Sequence, residues 1–255
     1  MKILVCVKRV PAPGARISIA TDGQAVDTAF LGFTMSPHEE CAVEEAVQLV
    51  EQHGGESTVL TLGPSEADEQ LRYAASLGVA NAVLLPISGP DWDPQRTATA
   101  IAAAVIDIEA VDGPFDLILF GNESADSGGF QVGIRVAHAL GRPVVNGIKG
   151  IDVQGDTLRA RREADVGVEV YEVPMPAVLG VKEGINLPRY PTLKGRLASK
   201  KVAVAQVSPS GDPGGQQMVT LLAAAEQVSA TVILGNGPDA AGAVVDMLEE
   251  IGVLK

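Results

Sequence analysis

The chain has 255 residues, of which 46% are hydrophobic and 20% charged, and its net charge at pH 7 is −13. This composition is typical of a globular protein with one large α/β domain and a tail, or with two small domains. The negative charge argues against nucleic acid as a partner, the first eight residues are too short for a signal peptide, and no apolar run approaches the roughly 18 residues of a membrane span. We therefore expect a cytoplasmic protein without direct membrane insertion.

Strands and helices alternate over the first part of the chain. The clearest helix signal is at Ser36, an N-cap residue followed by Pro37 and, three residues after the cap, by Glu39 at the capping-box position. A turn at 21–24 between two short extended runs predicts a hairpin. The predicted strands are 3–7, 57–62, 82–85 and 115–120, and the predicted helices begin near 36, 65, 97 and 130. Alternation at this spacing predicts an α/β fold with a doubly wound, mostly parallel, Rossmann-like sheet.

The second part of the chain has a different pattern. Four strand-like segments, at 144–153, 157–163, 166–173 and 176–181, predict an antiparallel meander or an extension of the sheet. Residues 182–201 are expected to be irregular, followed by a last strand at 202–207 and a linker at 208–215. We therefore predict an α/β domain over 1–207 and a C-terminal arm over 208–255, which ends in a helix at about 239–251.

The most informative stretch runs from residue 115 to residue 143. An apolar strand leads into a small, polar loop that contains Gly121, Gly128 and Gly129, and a helical pattern starts at Phe130. Glycines let backbone N–H groups approach a ligand, and a helix start adds free donors, so an anion such as a nucleotide phosphate fits this arrangement. An ordinary βα turn fits it equally well, because the loop matches neither a Walker motif nor GxGxxG.

Other positions are expected to join this loop. In open parallel sheets, ligands bind beyond the carboxyl ends of the strands, at a switch in strand order. Cys6, Ser36, Leu62 and Gly121 all lie near strand ends or helix starts. We therefore expect these four positions to converge on one site.

Catalysis has little support in the sequence. The three histidines, His38, His53 and His138, form no ligand-spaced cluster, and no nucleophile elbow is present. Only His38 lies beside the predicted site. The acidic pairs at 39–40 and 44–45 are expected to form a solvated helix face, and Cys6 is expected to act as a small buried hydrophobe.

A basic segment follows residue 188 in this otherwise acidic chain. It places Tyr190, Leu193 and Leu197 among five cations. An apolar tip framed by cations is typical of an element that docks an acidic partner, although a solvated loop has a similar composition. The five cations are Arg189, Lys194, Arg196, Lys200 and Lys201.

Three segments give the chain a specific resemblance to the β subunit of electron transfer flavoproteins along nearly its whole length. They are Val5-Cys6-Val7-Lys8-Arg9-Val10, Ala42-Val43-Glu44-Glu45-Ala46, and the run Asn186-Leu187-Pro188-Arg189-Tyr190-Pro191-Thr192-Leu193-Lys194-Gly195 followed by Ala198-Ser199-Lys200-Lys201. The resemblance implies an adenine nucleotide hydrolase-like form of the Rossmann fold. It also implies a heterodimer in which the α subunit holds most of the redox FAD, while the β subunit binds a structural AMP and completes the FAD site.

The resemblance also implies which residues bind AMP. They include the glycine-rich loop at Gly121, which the sequence pattern indicates without the resemblance. The implied nucleotide site consists of Cys6, Ser36, Pro37, His38, Glu39, Leu62, Gly121, Asn122, Glu123, Ser124, Ala125, Asp126, Ser127, Gly128, Gly129, Phe130, Gln131 and Val132. None of these residues is expected to be catalytic, because the subunit carries electrons and does no bond chemistry of its own.

The same resemblance implies three kinds of partner. Electrons pass from flavin-containing dehydrogenases to an acceptor, such as a membrane-bound quinone oxidoreductase, and the arm at 208–255 wraps around the α subunit. Leu193 matches the position that anchors in partner dehydrogenases. The implied docking residues are Pro191, Thr192, Leu193, Lys194, Gly195, Arg196, Leu197 and Lys200.

Departures from the family pattern leave alternatives open. Mitochondrial-type members carry an aromatic residue where this chain has His38 and a tyrosine near Pro13, so the flavin edge is built differently here and His38 is a candidate for tuning it. Bifurcating members carry a second FAD in place of AMP, take electrons from NADH, and usually have Gln-Val-Pro-Asp-Thr after the first strand. This chain has Arg9-Val10-Pro11-Ala12-Pro13 instead, which favours AMP, although Gln131-Val132-Gly133 partly matches the bifurcating pattern.

The alternative of another class is a stand-alone nucleotide-binding α/β protein. It would be a monomer that turns over ATP without a partner. The apolar residues after Ser208 argue against it, because a monomer would have to leave that arm loose or fold it back.

Overall fold

The computed structural model describes residues 1–223 and 231–254, which divide into two units, Met1–Leu221 and Leu222–Lys255. The first unit contains one nine-stranded sheet. Its strands are β1 (Lys2–Cys6), β2 (Glu56–Gly63), β3 (Asn81–Pro86), β4 (Leu117–Gly121), β5 (Val144–Gln154), β6 (Thr157–Ala164), β7 (Gly167–Pro174), β8 (Ala177–Val181) and β9 (Val204–Gln206). Its α-helices are α1 (Pro37–His53), α2 (Asp68–Leu77), α3 (Pro94–Asp112), α4 (Val132–Leu140) and α5 (Leu193–Ser199).

The order of the strands places a switch point at β1. Across the sheet the order is β7-β6-β5-β8-β4-β1-β2-β3-β9. The chain runs from β1 outward to β2 and β3, and then crosses back to β4 on the other side of β1. Within this sheet, as far as the described residues go, only the β5-β6 and β6-β7 pairs are antiparallel. The predicted α/β fold with a mostly parallel sheet is therefore confirmed, and the segments after residue 143 form a meander that extends the same sheet.

Helices cover both faces of the sheet, and each face has its own apolar core. Alternate residues of β1 point to opposite faces, so that Ile3 and Val5 pack beneath α1 and α2 while Leu4 and Cys6 pack beneath α3 and α4. Both faces are covered, which explains why the central strands are continuous apolar runs. Cys6 is buried in the second core, and burial raises the pKa of its thiol, as expected of an inert apolar side chain.

Two short antiparallel ladders lie in the segment between β1 and α1. One pairs Val10–Pro11 with Phe33–Thr34, and the other pairs Ser18–Ile19 with Val26–Asp27. The second ladder confirms the predicted hairpin around residues 21–24. A 3₁₀ turn at Ser65–Ala67 precedes α2, so the predicted helix near residue 65 begins with a tighter turn.

The structure corrects one assignment in the basic segment. Residues 182–201 were expected to be irregular, but Leu193–Ser199 forms the helix α5. The side chain of Thr192 caps it by accepting a hydrogen bond from the Gly195 N–H at 3.0 Å, and α5 packs on α2. This contact joins elements far apart in sequence, so local composition did not reveal it.

The second unit is described from Leu222 to Ala223 and from Thr231 to Leu254. A 3₁₀ turn at Gly237–Ala240 leads into α6 (Ala241–Glu250), close to the predicted C-terminal helix. Residues 224–230 of the predicted arm lie outside the described residues, and the division into a domain and an arm stays a prediction. In the described ranges, none of the helices has the length and apolar character needed to cross a bilayer.

Candidate functional site

The carboxyl ends of β1, β2 and β4 lie side by side at the switch point. Cys6 is opposite Leu60 of β2 on one side and Phe120 of β4 on the other. Leu62 and Gly121 therefore reach the same edge of the sheet. We call this region the crevice, bounded by these strand ends, the start of α1 and the loop 122–131.

The start of α1 is fixed by a complete capping box. The Ser36 Oγ accepts a hydrogen bond from the Glu39 N–H at 3.3 Å, and the Glu39 carboxylate accepts one from the Ser36 N–H at 3.1 Å. The same hydroxyl donates to the backbone carbonyl of Glu123 at 3.3 Å. The helix start and the glycine-rich loop are thus joined directly, as the sequence predicted for Ser36 and Gly121.

Glu39 is buried beneath the crevice. Its carboxylate also accepts a hydrogen bond from the Lys8 N–H at 3.0 Å, and only 6% of the residue is exposed. Burial raises the pKa of Glu39 to about 8, against the opposing effect of the Lys8 and Ser36 N–H donors. The carboxyl therefore keeps its proton to a higher pH than an exposed glutamate does.

His38 links the loop after β4 to the segment after β8. Its Nδ1 accepts a hydrogen bond from the Glu183 N–H at 2.8 Å, so this nitrogen carries no proton. The proton of the neutral ring is then on Nε2, which lies 3.2 Å from a carboxylate oxygen of Glu123 and donates to it. The tautomer and orientation of the ring are fixed by these two contacts.

Gly121 allows β4 to approach the start of α1 closely. A Cβ at this position would lie 2.7 Å from Cγ of Glu39 and 3.2 Å from Cβ of His38. Gly133 has a similar role at the start of α4, where a Cβ would lie 3.1 Å from the ring of Phe120. Only glycine fits at Gly121 without a shift of α1, since both neighbours belong to a capped helix start.

The loop 122–131 closes on itself and leaves donors at the start of α4. Ser124 and Gly128 are joined by a backbone hydrogen bond, and the hydroxyls of Ser124 and Ser127 lie 2.9 Å apart. Among the described residues, the N–H groups of Gly129, Val132, Gly133 and Ile134 have no hydrogen-bond partner. Free N–H groups at the positive end of a helix dipole are suited to binding an anion.

Lys8 crosses the crevice and was not identified from the sequence. Its Nζ lies 3.0 Å from a carboxylate oxygen of Asp91 and 2.5 Å from one of Asp126. Burial lowers the pKa of Lys8, but the two carboxylates outweigh it and hold that pKa above its ordinary value. The partners lie 83 and 118 positions away, so no local pattern could reveal this contact.

The segment from Glu183 to Arg189 runs along α1 and is bound to it at each end and in the middle. Besides the contact of Glu183 with His38, Asn186 donates to the Cys41 carbonyl at 3.0 Å and to Glu45 at 2.8 Å. Further along α1, the Arg189 guanidinium forms ion pairs with Glu44 at 2.9 Å and with Glu51, near the end of the helix, at 2.7 Å. The segment connects the crevice to α5.

These contacts correct one prediction and limit another. Of the four carboxylates expected on a solvated helix face, Glu39, Glu44 and Glu45 are in fact covered, at 6%, 2% and 8% exposure, and Glu40 is partly buried. The charge of Arg189 is paired within the chain, since its guanidinium is bound to both Glu44 and Glu51. Hydrogen bonds from Arg189 outweigh burial and hold the pKa of Glu44 below its usual range.

The remaining docking candidates lie on or beside α5. Leu193 and Leu197 are 76% and 56% exposed, and Tyr190, just before the helix, is 89% exposed. Thr192, Lys194, Arg196 and Lys200 are also exposed, whereas Pro191 and Gly195 are partly buried. The helix therefore presents an apolar and basic surface.

Gly195 and Arg72 hold α5 on α2. A Cβ on Gly195 would lie 2.2 Å from the Ser76 carbonyl oxygen, so the helices touch through backbone at this point. The Arg72 guanidinium donates to the carbonyls of Ser199, Lys200 and Val202, which end the helix. The exposed side chains of α5 therefore lie on a helix that is held in place against α2.

The chain is similar to electron transfer flavoprotein subunits. The family model of the electron transfer flavoprotein domain matches residues 26–211. The chain is 38% identical over 207 residues to the electron transfer flavoprotein subunit beta of Syntrophomonas wolfei, covering 80% of this chain and 79% of that protein. The subunit beta of Bacillus subtilis is 34% identical (79% and 76% covered), and that of Bradyrhizobium diazoefficiens is 30% identical (81% of each). This chain therefore belongs to the electron transfer flavoprotein beta-subunit family.

Proposed function

We propose that this chain is the β subunit of a heterodimeric electron transfer flavoprotein that binds AMP in the crevice and completes an FAD site held mainly by its α subunit. The observation that carries the AMP proposal is the group of N–H donors at Gly129, Val132, Gly133 and Ile134, which have no partner among the described residues. Their number and their place at a helix start suit a phosphate monoester. Gly121 and Gly133 keep backbone atoms close at the same edge of the sheet.

The chain's own contribution is to bind and orient. FAD, when bound, supplies the redox chemistry, and no residue of this chain is proposed to make or break a bond. Ser36 and Glu39 fix the start of α1, and His38 holds the loop 122–131 to the segment after β8. A rigid crevice lowers the reorganisation that accompanies ligand binding.

The proposed partners follow from two exposed surfaces. Helix α5 and its flanks would dock flavin-containing dehydrogenases, because Leu193 and Leu197 are exposed beside cations in an otherwise acidic chain. Electrons would then pass to an acceptor such as a quinone oxidoreductase. The α subunit would cover the apolar side chains of the second unit, where Val244, Val245 and Ile251 are 42%, 44% and 64% exposed.

The experiment that tests the proposal is to purify the chain, denature it with acid and identify the released nucleotide by mass spectrometry. AMP without flavin is the expected result. Release of FAD from the isolated chain would instead support a bifurcating subunit that carries a second FAD and accepts electrons from NADH. A well-folded chain that releases no nucleotide, or a monomer that turns over ATP, would overturn the proposal.

Leu193→Ala tests the docking surface separately. Leu193 is mostly exposed, so we expect its truncation to leave folding and FAD content unchanged. Electron transfer from a dehydrogenase should slow when the dehydrogenase is limiting. Unchanged rates under that condition would remove α5 as the docking element.

A further inference from the structure

Lys8 joins two loops that follow different strands of the sheet. Asp91 lies between β3 and α3, and Asp126 lies between β4 and α4, while β1 and β2 separate those strands. The Lys8 Nζ is within 3.0 Å of both carboxylates. One side chain thus bridges the edge of the sheet from the β4 side to the β3 side.

The backbone of Lys8 is itself fixed. Its N–H donates to Glu39 at 3.0 Å, and the N–H of the preceding residue, Val7, donates to the Leu60 carbonyl at 2.9 Å. On the loop side, the Asp126 carboxylate also accepts a hydrogen bond from the Ser127 N–H at 2.7 Å. The ammonium therefore connects anchored backbone to the loop 122–131, and Asp91 brings the second loop to it.

The charges around Lys8 indicate that it holds loops in place and does not itself bind an anion. Its single positive charge faces two carboxylates, so little of that charge remains for a phosphate. Without the ammonium, the two carboxylates would face the crevice from two loops with no cation between them, and like charges repel.

We propose that Lys8 is a positioning residue that ties the loop 87–93 to the loop 122–131 and so sets the rate at which a nucleoside monophosphate leaves the crevice. The inference rests on the proposed AMP site, because the second of these loops leads into the start of α4. When the two loops are tied together, AMP leaves the crevice more slowly than when they are apart. The proposed function is tested by the identity of the nucleotide and this inference by the rate of its release, so the two can fail separately.

The test compares Lys8→Met with Lys2→Met in the full-length chain. Lys2 begins β1, whereas Lys8 lies two residues beyond its other end, and the Lys2 Nζ donates to the carbonyls of Asp112 and Gly113. The control therefore makes the same substitution away from the crevice. Labelled AMP is bound, and its release is followed after an excess of unlabelled AMP is added. We expect release to be up to roughly fivefold faster from Lys8→Met, which corresponds to the upper value of an ion pair that solvent reaches, and unchanged for Lys2→Met.

Ionic strength provides a readout that a packing role alone would not change. The Lys8 and Asp91 side chains are 31% and 67% exposed, so salt screens their contact. Raising the ionic strength should speed AMP release from the wild-type chain and have a much smaller effect on Lys8→Met. Asp91→Asn, a conservative change at an exposed side chain, should show about twofold faster release, and it keeps the test valid should Lys8→Met fold poorly.

Two outcomes would overturn the inference. The first is equal AMP release from the wild type, Lys8→Met and Asp91→Asn. The second is equal hydrogen exchange of residues 87–93 and 122–131 in the wild type and in Lys8→Met, because separated loops exchange faster. The exchange measurement needs no bound nucleotide, so a chain that binds no AMP would contradict the proposed function while the tie between the loops is still tested.

Discussion

At the scale of single residues, Gly121 determines how closely β4 approaches the start of α1. The Gly121→Ala methyl would lie 2.7 Å from Cγ of Glu39 and 3.2 Å from Cβ of His38, both on a capped helix start that cannot move freely. We expect the substitution to lower the free energy of unfolding by about 1–3 kcal/mol, as overpacking does, and to reduce the AMP that copurifies. Thermal unfolding and mass spectrometry measure the two effects.

A matched control exists for this substitution. Gly32→Ala adds the same methyl group where the nearest atom, Cβ of Ala12, is 3.8 Å away, and the φ angle of Gly32 is not positive. It should leave both stability and AMP content unchanged. If Gly121→Ala behaves like Gly32→Ala, the close approach of β4 to α1 does not shape the crevice.

Glu39 gives a prediction about pH. Its pKa is raised to about 8 in the folded chain from an ordinary 4.5, so between these values the folded state binds a proton that the unfolded state does not. This contribution to stability is complete below about pH 4.5 and is lost as the pH rises toward 8, with a slope of up to about 1.4 kcal/mol per pH unit. Denaturant unfolding across this window, in the wild type and in Glu39→Gln, measures the slope.

The substitution Glu39→Gln removes the titrating group, so the fall in stability with rising pH should become shallower. Its absolute stability should also be lower, because the amide NH₂ cannot accept from the Lys8 or Ser36 N–H as a carboxylate oxygen does. The slope and not the absolute stability is therefore the test. An identical pH slope in both proteins would contradict the raised pKa.

At the scale of elements, α5 lies against α2 through a close backbone approach at Gly195, besides the hydrogen bonds from Arg72. In Gly195→Ala, the methyl would lie 2.2 Å from the Ser76 carbonyl oxygen, so the helix must move away from α2. We expect faster hydrogen exchange over residues 193–199, with β1 to β4 unaffected, because the strain is at the surface of the unit. Electron transfer from a limiting dehydrogenase should also slow.

Lys194→Ala is the control that changes the charge of α5 without changing the position of the helix. Lys194 is exposed and neighbours Gly195 in the same helix, so its truncation removes a cation without pushing α5 off α2. Hydrogen exchange over α5 should then match the wild type. Exchange in Gly195→Ala that is as slow as in Lys194→Ala would show that the contact with Ser76 does not hold the helix.

The elements differ in how far they could be predicted, and the difference follows the range of the interactions that form them. The start of α1 was predictable because Ser36, Pro37 and Glu39 form its cap among themselves. The glycine-rich loop was predictable for the same reason. Helix α5 was missed because it is held by α2, and the burial of Glu44 was missed because its partner Arg189 lies 145 residues further along the chain.

In the predicted site, too, the parts that could be predicted are formed by residues close in sequence. Local signals found the loop at Gly121 and the helix start at Ser36, and strand order explains why the two meet. Lys8 adjoins the predicted first strand, but nothing in its neighbourhood indicates that its partners are Asp91 and Asp126. Contacts between side chains from separate loops depend on the folded geometry, which short-range sequence patterns do not encode.

At the scale of the whole molecule, the first unit connects its two proposed sites through α1. The segment 183–189 is hydrogen-bonded to His38 at the crevice end of α1 and to Glu44 and Glu51 toward the other end, and α5 begins four residues after Arg189. A dehydrogenase bound at α5 and a nucleotide in the crevice would therefore contact one fixed framework. This framework fixes α5 relative to the crevice, whose proposed AMP is structural and carries no electrons.

The second unit gives the last prediction, Val245→Asp in α6. In the described residues no side chain of α6 is buried, so an aspartate at 245 is hydrated in the chain alone and should not change its folding. Placed against an apolar surface of the α subunit, the same carboxylate would have to lose its water, and we expect the dissociation constant of the heterodimer to rise roughly tenfold or more. Glu249→Gln, a change at an exposed polar position of the same helix, should leave it unchanged. Sedimentation of the copurified subunits over a range of concentrations measures both constants, and equal values would mean that α6 is not covered by the α subunit.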